Sequence, residues 1–265
     1  MQLDPRAVEA GVRLETLVTV SSTNSEARVR ARQGEAGPLW ITAVTQTEGR
    51  GRMDRSWVSP PGNLYASLLL REPAPSERAP ELAFVAALAL RDAVVAEAPA
   101  LAPQLAFKWP NDLLLTGKKC AGILIEGEAE PGSGLSVVIG IGVNCASHPP
   151  AAAYPATDLH AHGAVIAPDQ LFQRLSGTMC RRTAQWDCGL GFPAILADWL
   201  AAAHGVGEEI TVRNGGGEKH GRFAGLDRSG RLILDLHGGG TEKISAGDIF
   251  PFDLRVSRPG TGRLG

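Results

Sequence analysis

Residues 49 to 57 read Gly-Arg-Gly-Arg-Met-Asp-Arg-Ser-Trp, and this stretch constrains the chain more than any other. Glycine weakens helices and strands alike, and neighbouring cations repel, so a regular element is not expected here. A loop that wraps an anion suits the same residues well. Glycine reaches positive φ and lets main-chain N–H groups approach a ligand closely. Guanidinium groups present a planar fork of donors that matches phosphate and carboxylate oxygens. Without an anion, Arg50, Arg52 and Arg55 repel one another, so the loop is expected to be mobile when empty and ordered when loaded. Taken alone, the stretch reads more readily as a solvated basic turn. Its flanks argue for more, because Leu39 to Gln46 and Asn63 to Leu70 carry strand patterns and the loop joins them.

With 265 residues, 44% of them hydrophobic and 20% charged, the chain can bury a sizeable core and a second small domain. A formal net charge of -2 gives no general attraction to nucleic acid or to an anionic membrane, so basic chemistry must be local. The apolar run Leu82 to Val95 is broken by Arg91 and Asp92 and is too short to span a bilayer, and the N-terminus has no signal-peptide pattern. A cytoplasmic protein is expected. Cys120, Cys145, Cys180 and Cys188 lack CxxC spacing and read as reduced thiols. His160 and His162 have no further ligands nearby in sequence and read as surface residues.

Leu14 to Val20 alternates like a strand and runs into Ser21-Ser22-Thr23-Asn24-Ser25-Glu26, where Thr23 and Glu26 form a capping box for a helix reaching about Gln33. Residues 73 to 80 are proline-rich and read as a linker, and Leu82 to Ala98 is a helix bounded by Pro80 and Pro99. Phe107-Lys108-Trp109-Pro110-Asn111-Asp112 and the following leucines read as strand, tight bend, strand. Pro110 fixes φ there, so Lys108, Asn111 and Asp112 are displayed at a kink. That set suits a nucleotide and a divalent cation, and it also describes an ordinary hairpin corner. Trp109 reads as core and Lys118 as a solvated turn residue. Lys119 opens a strand with Ala121 and Gly122 near its start. Leu135 to Val143 is another strand, in which Gly140 and Gly142 clear alternate positions on one face. The third glycine and helix opening of a dinucleotide fingerprint are missing. Helices over Pro168 to Trp186 and Phe192 to Ala203 precede a tail of short alternating segments, Ile210 to Arg213, His220 to Asp227, Arg231 to Leu236 and Thr241 to Ser245. The division predicted is 1–206 and 207–265.

Four stretches in order, Gly-Arg-Gly-Arg-x-x-Arg-x-Trp, Lys-Trp-Pro-Asn-Asp, Lys-Lys-x-x-Gly-Ile-Leu-x-Glu and Gly-x-Gly-x-Asn, resemble the catalytic core of biotin protein ligases over about residues 14 to 254. The resemblance implies an α+β fold: a mixed sheet packed by helices on one side, similar to class II aminoacyl-tRNA synthetases, then a small SH3-like β-barrel. It implies two steps, in which biotin and Mg-ATP give biotinyl-5′-adenylate and a lysine of a biotin carboxyl carrier domain then takes the biotin. The acceptor would belong to acetyl-CoA carboxylase or a related carboxylase.

On that resemblance Ser22, Thr23, Asn24 and Gln46 hydrogen-bond the biotin head, whose neutral ring needs paired donors and acceptors. Arg50, Gly51 and Arg52 close over biotin and phosphate, Gly122 and Gly140 allow close backbone approach, and Lys119 bridges the biotin carboxylate and the α-phosphate. Arg52, Arg55, Trp57, Lys108, Asn111 and Asn144 serve the ATP and adenylate side. Arg52, Lys108, Asp112 and Lys119 act on the reacting groups, and Mg²⁺ is held at Asn111 or Asp112, the latter alternatively orienting the incoming lysine. Lipoate or octanoate transfer and a non-catalytic biotin-binding module are the competing functions. Bifunctional relatives carry a winged-helix domain ahead of the core, and here the first strand begins at about Leu14, so no nucleic-acid partner is expected. Neither is a membrane. A homodimer through edge strands and a monomer both remain compatible with the sequence. The family loop usually has glycine where this chain has Asp54, whose charge can pair with a neighbouring arginine. Asp54→Gly is therefore expected to slow release of biotinyl-adenylate, and an unchanged dissociation rate in stopped-flow fluorescence would rule this out.

Overall fold

Alternation of β-branched and small residues builds the first strands, and a computed structural model describes where they go for residues 1–130, 134–150 and 155–251, leaving aside the side chains of Asp54, Glu130 and Pro251. The sequence expectations for residues 252 to 265 lie outside the described residues. By contacts the chain divides into Met1–His204 and Gly205–Gly265.

In the first unit a short helix α1 (Pro5–Glu9) precedes β1 (Arg13–Val20), α2 (Thr23–Arg32), β2 (Leu39–Gln46) and β3 (Leu64–Arg71). Next come α3 (Leu82–Glu97), β4 (Leu105–Lys108), β5 (Asp112–Leu115), β6 (Lys118–Glu130), β7 (Gly134–Val143), α4 (Pro168–Trp186) and α5 (Phe192–Leu200). The seven strands form one sheet in the order β1-β2-β3-β7-β6-β5-β4. Only β1 and β2 run parallel, with α2 as their crossover; the other neighbours are antiparallel. The fold is α+β with a mixed sheet. Within the second unit, β8 (Glu209–Asn214), β9 (Gly217–Leu226), β10 (Leu232–Leu236), β11 (Thr241–Ile244) and β12 (Asp248–Pro251) make a five-stranded antiparallel sheet ordered β11-β10-β9-β8-β12. The sequence pattern predicts the first four of these and misses β12.

Helices cover both faces of the large sheet, which corrects the expectation of helices on one side. Successive residues of a strand point to opposite faces. Leu39 and Ile41 of β2 pack with Ala27 and Ala31 of α2, together with Leu69 and Val138. Trp40, between them, points the other way and meets Phe172 of α4 edge-on at 5.5 Å. On that second face Trp199 of α5 stacks on Phe107 at 5.4 Å and meets Phe84 of α3 at 5.3 Å. Both faces of β2 are apolar, so both need a helix.

Two local expectations also change. The α2 cap is Ser22, extended at φ -157° and ψ 134°, whose Oγ accepts the Ser25 N–H at 3.4 Å. Thr23 does not cap because its hydroxyl is drawn to Gln46 Oε1 at 3.1 Å. The proline-rich linker contains a 3-10 turn, Ser76–Glu81. It is fastened to α4, since Trp186 Nε1 donates to Glu81 Oε2 at 2.6 Å. Burial raises the Glu81 pKa, against the opposing pull of Trp186 and Arg78.

Phe172 is fully buried, and its only replacement for lost contacts would be a cavity between α4 and Trp40. Phe172→Ala is expected to cost about 3–5 kcal/mol of stability in urea unfolding followed by circular dichroism. A loss below about 1 kcal/mol would contradict this packing.

Candidate active site

Cross-strand partners share a face, so the sheet register states which residues line the α2 side. One row across five strands runs Tyr65, Gly142, Gly122, Asp112, Lys108, and the next runs Ile41, Ser67, Gly140, Leu124. Three glycines therefore lie together on that face and make a floor without side chains. The space is already used by protein groups: a Cβ on Gly140 would overlap Asn24 Oδ1, and one on Gly142 would come within 2.6 Å of Trp57 Cε2. Trp57 also lies over Gly122.

Lys119 reaches this face through a β-bulge. By simple alternation from Gly122 it would point to the opposite side. Where β6 pairs with β5, Leu113 faces Ala121 while Leu114 faces Lys119, so Cys120 is the extra residue and the alternation resets. Lys119 Nζ then sits 2.6 Å from Asp112 Oδ1 and 5.3 Å from the centre of the Trp57 ring. Asp112 Oδ1 is buried without an aligned hydrogen bond, so its link to Lys119 is a charge contact more than a directional bond.

The loop at 49–57 folds over the same floor. Its tip contains a 3-10 turn, Arg52–Asp54, and Arg50 bridges to Ser56, so it is more regular than its composition predicts. The left-handed position is Met53 at φ 55°, not a glycine. Gly49 is required for closeness instead: a Cβ there would overlap the Trp57 carbonyl oxygen and stand 2.6 Å from Ser59 Oγ. The arginines are held apart by separate acceptors. Arg50 Nη2 lies 3.2 Å from Ser25 Oγ and 3.3 Å from Glu126, and Arg52 Nη1 donates to Asn111 Oδ1 at 3.3 Å. Arg55 Nη2 is 3.9 Å from Met53 Sδ at the exposed tip. The Asp54 side chain lies outside the described residues.

At the α2 end a hydrogen-bonded chain gathers four sequence-predicted residues with two that sequence reasoning missed. Thr23 N–H and Oγ1 donate to Gln46 Oε1 at 2.8 and 3.1 Å, and Gln46 Nε2 donates to Ser59 Oγ at 2.9 Å. Ser59 donates onward to the Trp57 carbonyl at 2.8 Å. The fully buried Ser67 Oγ lies 2.8 Å from Thr23 Oγ1 and 2.6 Å from Asn24 Oδ1. Ser22 stands beside these as the helix cap. Ser67 was legible only as a small polar residue inside an apolar strand.

Asn144, expected on the adenylate side, stands at the end of β7 just past Val143. It is buried, and its Nδ2 donates to the Thr157 carbonyl at 3.0 Å, so its amide fastens the end of β7 to the segment at 155–159. Asn111 Nδ2 donates to the Ile123 carbonyl, leaving Oδ1 for Arg52. Trp109 is core and Lys118 exposed. Burial pushes the Cys145 thiol up to about 12 and the Cys120 thiol higher still, so neither supplies a thiolate. Among the described residues no three His, Cys, Asp or Glu side chains gather as a metal cluster, and no helix is long and apolar enough to cross a membrane.

Residues 17–144 match the biotin/lipoate A/B protein ligase family, and residues 205–250 match the biotin protein ligase C terminal domain. A biotin–[acetyl-CoA-carboxylase] ligase of Paracoccus denitrificans is 41% identical over 241 residues, covering 88% of this chain and 98% of that protein. The chain belongs to the biotin protein ligase family. The bifunctional ligase/repressor BirA of Bacillus spizizenii is 35% identical over 236 residues, covering 87% of this chain and 71% of that one. The biotin protein ligase of Aquifex aeolicus, solved with biotin and ATP, shares the fold at a TM-score of 0.76 and 24% identity, over 90% of this chain and 97% of that chain.

In this biotin protein ligase family member, the Gly49 contact makes the loop's position depend on one missing methyl. Gly49→Ala is expected to push the Trp57 strand of the loop off Gln46 and Ser59, raising amide hydrogen exchange across 50–57 by at least about tenfold while the sheet keeps its protection. Unchanged exchange in that window would show that the close approach does not hold the loop.

Proposed function

We infer that the chain is an ATP-dependent biotin ligase that forms biotinyl-5′-adenylate and then passes biotin to a lysine of a biotin carboxyl carrier domain, that of acetyl-CoA carboxylase or a related enzyme. The observation that carries the site reading is the Arg52 contact to Asn111 at 3.3 Å. It joins the arginine loop to the Lys-Trp-Pro-Asn-Asp bend above a glycine floor, with Lys119 on the same face.

Activation sets a carboxylate against a triphosphate, and two anions meet only where cations surround them. Arg50, Arg52, Arg55, Lys108 and Lys119 supply that charge. A carboxylate oxygen of biotin attacks the α-phosphorus, the bond to the bridging oxygen breaks, and pyrophosphate leaves. Lys119, placed by its bulge, neutralises the carboxylate and the α-phosphate together, while Arg52 and Arg55 serve the phosphate. Thr23, Asn24, Gln46 and Ser67 offer the paired donors and acceptors that a neutral ureido ring needs, with Ser22 holding the helix start. Gly140 makes room for Asn24 and Gly122 for Trp57 and Lys119, which corrects the expectation of a ligand lying on backbone there; Gly51 closes over biotin with Arg50 and Arg52, and Trp57 lies across the adenylate side.

Transfer needs an amine free of its proton. Where Asp112 does not hold the metal, it accepts that proton as the acceptor lysine attacks the acyl carbon and AMP departs. Magnesium usually keeps most of its water and binds through one or two carboxylates plus substrate phosphates. Such an ion would be held by Asp112, whose Oδ1 is buried without a hydrogen bond, or by Asn111. When bound, the ion would neutralise phosphate charge.

The first unit is the catalytic domain with a class II synthetase-like core, and the five-stranded second unit is an SH3-like barrel that helps present ATP or the acceptor. A match to the biotin ligase C-terminal domain supports biotin over lipoate. The near-neutral charge fits a protein partner in the cytoplasm, with neither nucleic acid nor membrane. Among the described residues β1 is the last strand of its sheet, and it carries Val18, 76% exposed, which fits a homodimer.

With biotin, ATP, Mg²⁺ and an acceptor domain, mass spectrometry is expected to show one biotinyl addition. Lys119→Gln is expected to slow adenylate formation by about 10²–10³-fold with the fold intact. A gain of lipoyl only, or an unimpaired Lys119→Gln enzyme, would overturn the assignment.

A further inference from the structure

Glu126 belongs to none of the roles above, yet Asn24, Arg50 and Arg28 all converge on its carboxylate. It lies on β6 four residues beyond Gly122, opposite Val138, on the α2 side of the sheet. Its carboxylate accepts from Asn24 Nδ2 at 2.8 Å, lies 3.3 Å from Arg50 Nη2 through both oxygens, and stands 3.5 Å from Arg28 Nη1. We propose that Glu126 is a positioning residue for the biotin end of the site, fixing which way Asn24 presents its amide and where Arg50 holds its guanidinium. This rests on the assignment of Asn24 and Arg50 to biotin.

An ionised carboxylate only accepts, so Asn24 must turn its nitrogen toward Glu126. Its oxygen then faces Ser67, 2.6 Å away, where a hydroxyl can donate. Glu126 and Ser67 together select one of two amide orientations that are otherwise nearly equal in shape. Gly140 completes the arrangement, since Asn24 rests where any Cβ would stand. Asn24 therefore keeps one N–H and one lone pair in known directions for a ligand. Arg50 is similarly pinned through Nη2, to Ser25 and Glu126, while its Nε is buried with no hydrogen-bond partner among the described residues. An unpaired buried donor is costly, and an acidic or carbonyl ligand at this end of the site would satisfy it. Arg52 reaches Asn111 instead, so Glu126 acts on one end of the site only.

A purely structural role is the competing account, because Arg28 also pairs with Glu126 and Glu128 and ties α2 to β6. Glu126→Gln distinguishes the two. It keeps the size of the side chain but offers Asn24 a donor as well as an acceptor, so the amide can flip. Expected is a rise in the KM for biotin of roughly tenfold with the KM for ATP within about twofold, as for loss of a charge-assisted hydrogen bond. Glu126→Asp, still acceptor-only, is expected to recover part of the biotin affinity. Arg28→Gln, which removes only the structural pair, is expected to leave both KM values unchanged. The proposal is overturned if Glu126→Gln leaves the biotin KM alone, if it raises both KM values alike, or if Arg28→Gln reproduces its effect. Asn24→Ala separates the two levels of inference. A raised biotin KM there beside a normal Glu126→Gln enzyme sinks only the role of Glu126, whereas an unchanged biotin KM sinks the assignment of Asn24 and this proposal with it.

Discussion

The site depends on a patch of sheet with no side chains. Gly122, Gly140 and Gly142 come from two strands and meet because β6 and β7 pair in one register, with Gly122 directly opposite Gly142. That floor lets Asn24 descend from α2 and Trp57 from the arginine loop until both touch backbone. A methyl group at Gly140 would meet Asn24 Oδ1, and the chain through Ser67, Thr23, Gln46 and Ser59 would lose its end. The hydrogen-bond network is thus a consequence of packing at glycine. Its members are buried or half-buried, where an unmatched polar group is costly, and this explains why nearly every donor in it has a named acceptor.

Electrostatics then sorts the cations. Three arginines in six residues would repel if they shared one space, and the sequence argument for a mobile empty loop rests on that repulsion. In the folded chain Arg50 turns to Glu126 and Ser25, Arg52 to Asn111, and Arg55 stays at the exposed tip beside Met53. Acceptors elsewhere in the protein answer the charge locally, so a bound anion is not the sole counter-charge. Lys119 is answered by Asp112 in the same way. An entering ligand with a carboxylate and phosphates must compete with these internal partners, which favours a ligand carrying several negative charges over a single small anion.

Much of the site was legible along the chain. The arginine loop, the Lys-Trp-Pro-Asn-Asp bend, Lys119 and the alternate glycines are local patterns, and each lies on the element expected of it. The misreadings share one cause. Thr23 looked like a helix cap, and its hydroxyl is taken by Gln46, a residue on another strand. Glycine in the loop looked like a φ requirement, and Gly49 is needed because Trp57 and Ser59 fold back onto it. Local propensity describes what a residue can do, and a partner brought in from elsewhere decides which of those it does.

By itself the sequence determined the strand and helix periods, the breaks at proline, and a set of cations ordered as in biotin ligases. Only the tertiary structure decided which groups face one another. Asn24 and Glu126 are 102 residues apart and Asn24 and Ser67 are 43 apart, and they meet because strand register carries them to one face. The bulge at Cys120 makes the same point for Lys119: simple alternation would place it on the far side of the sheet, and one unpaired residue brings it to Asp112. Face, register and bulge are properties of paired strands, and no single strand's sequence contains its partner's offset.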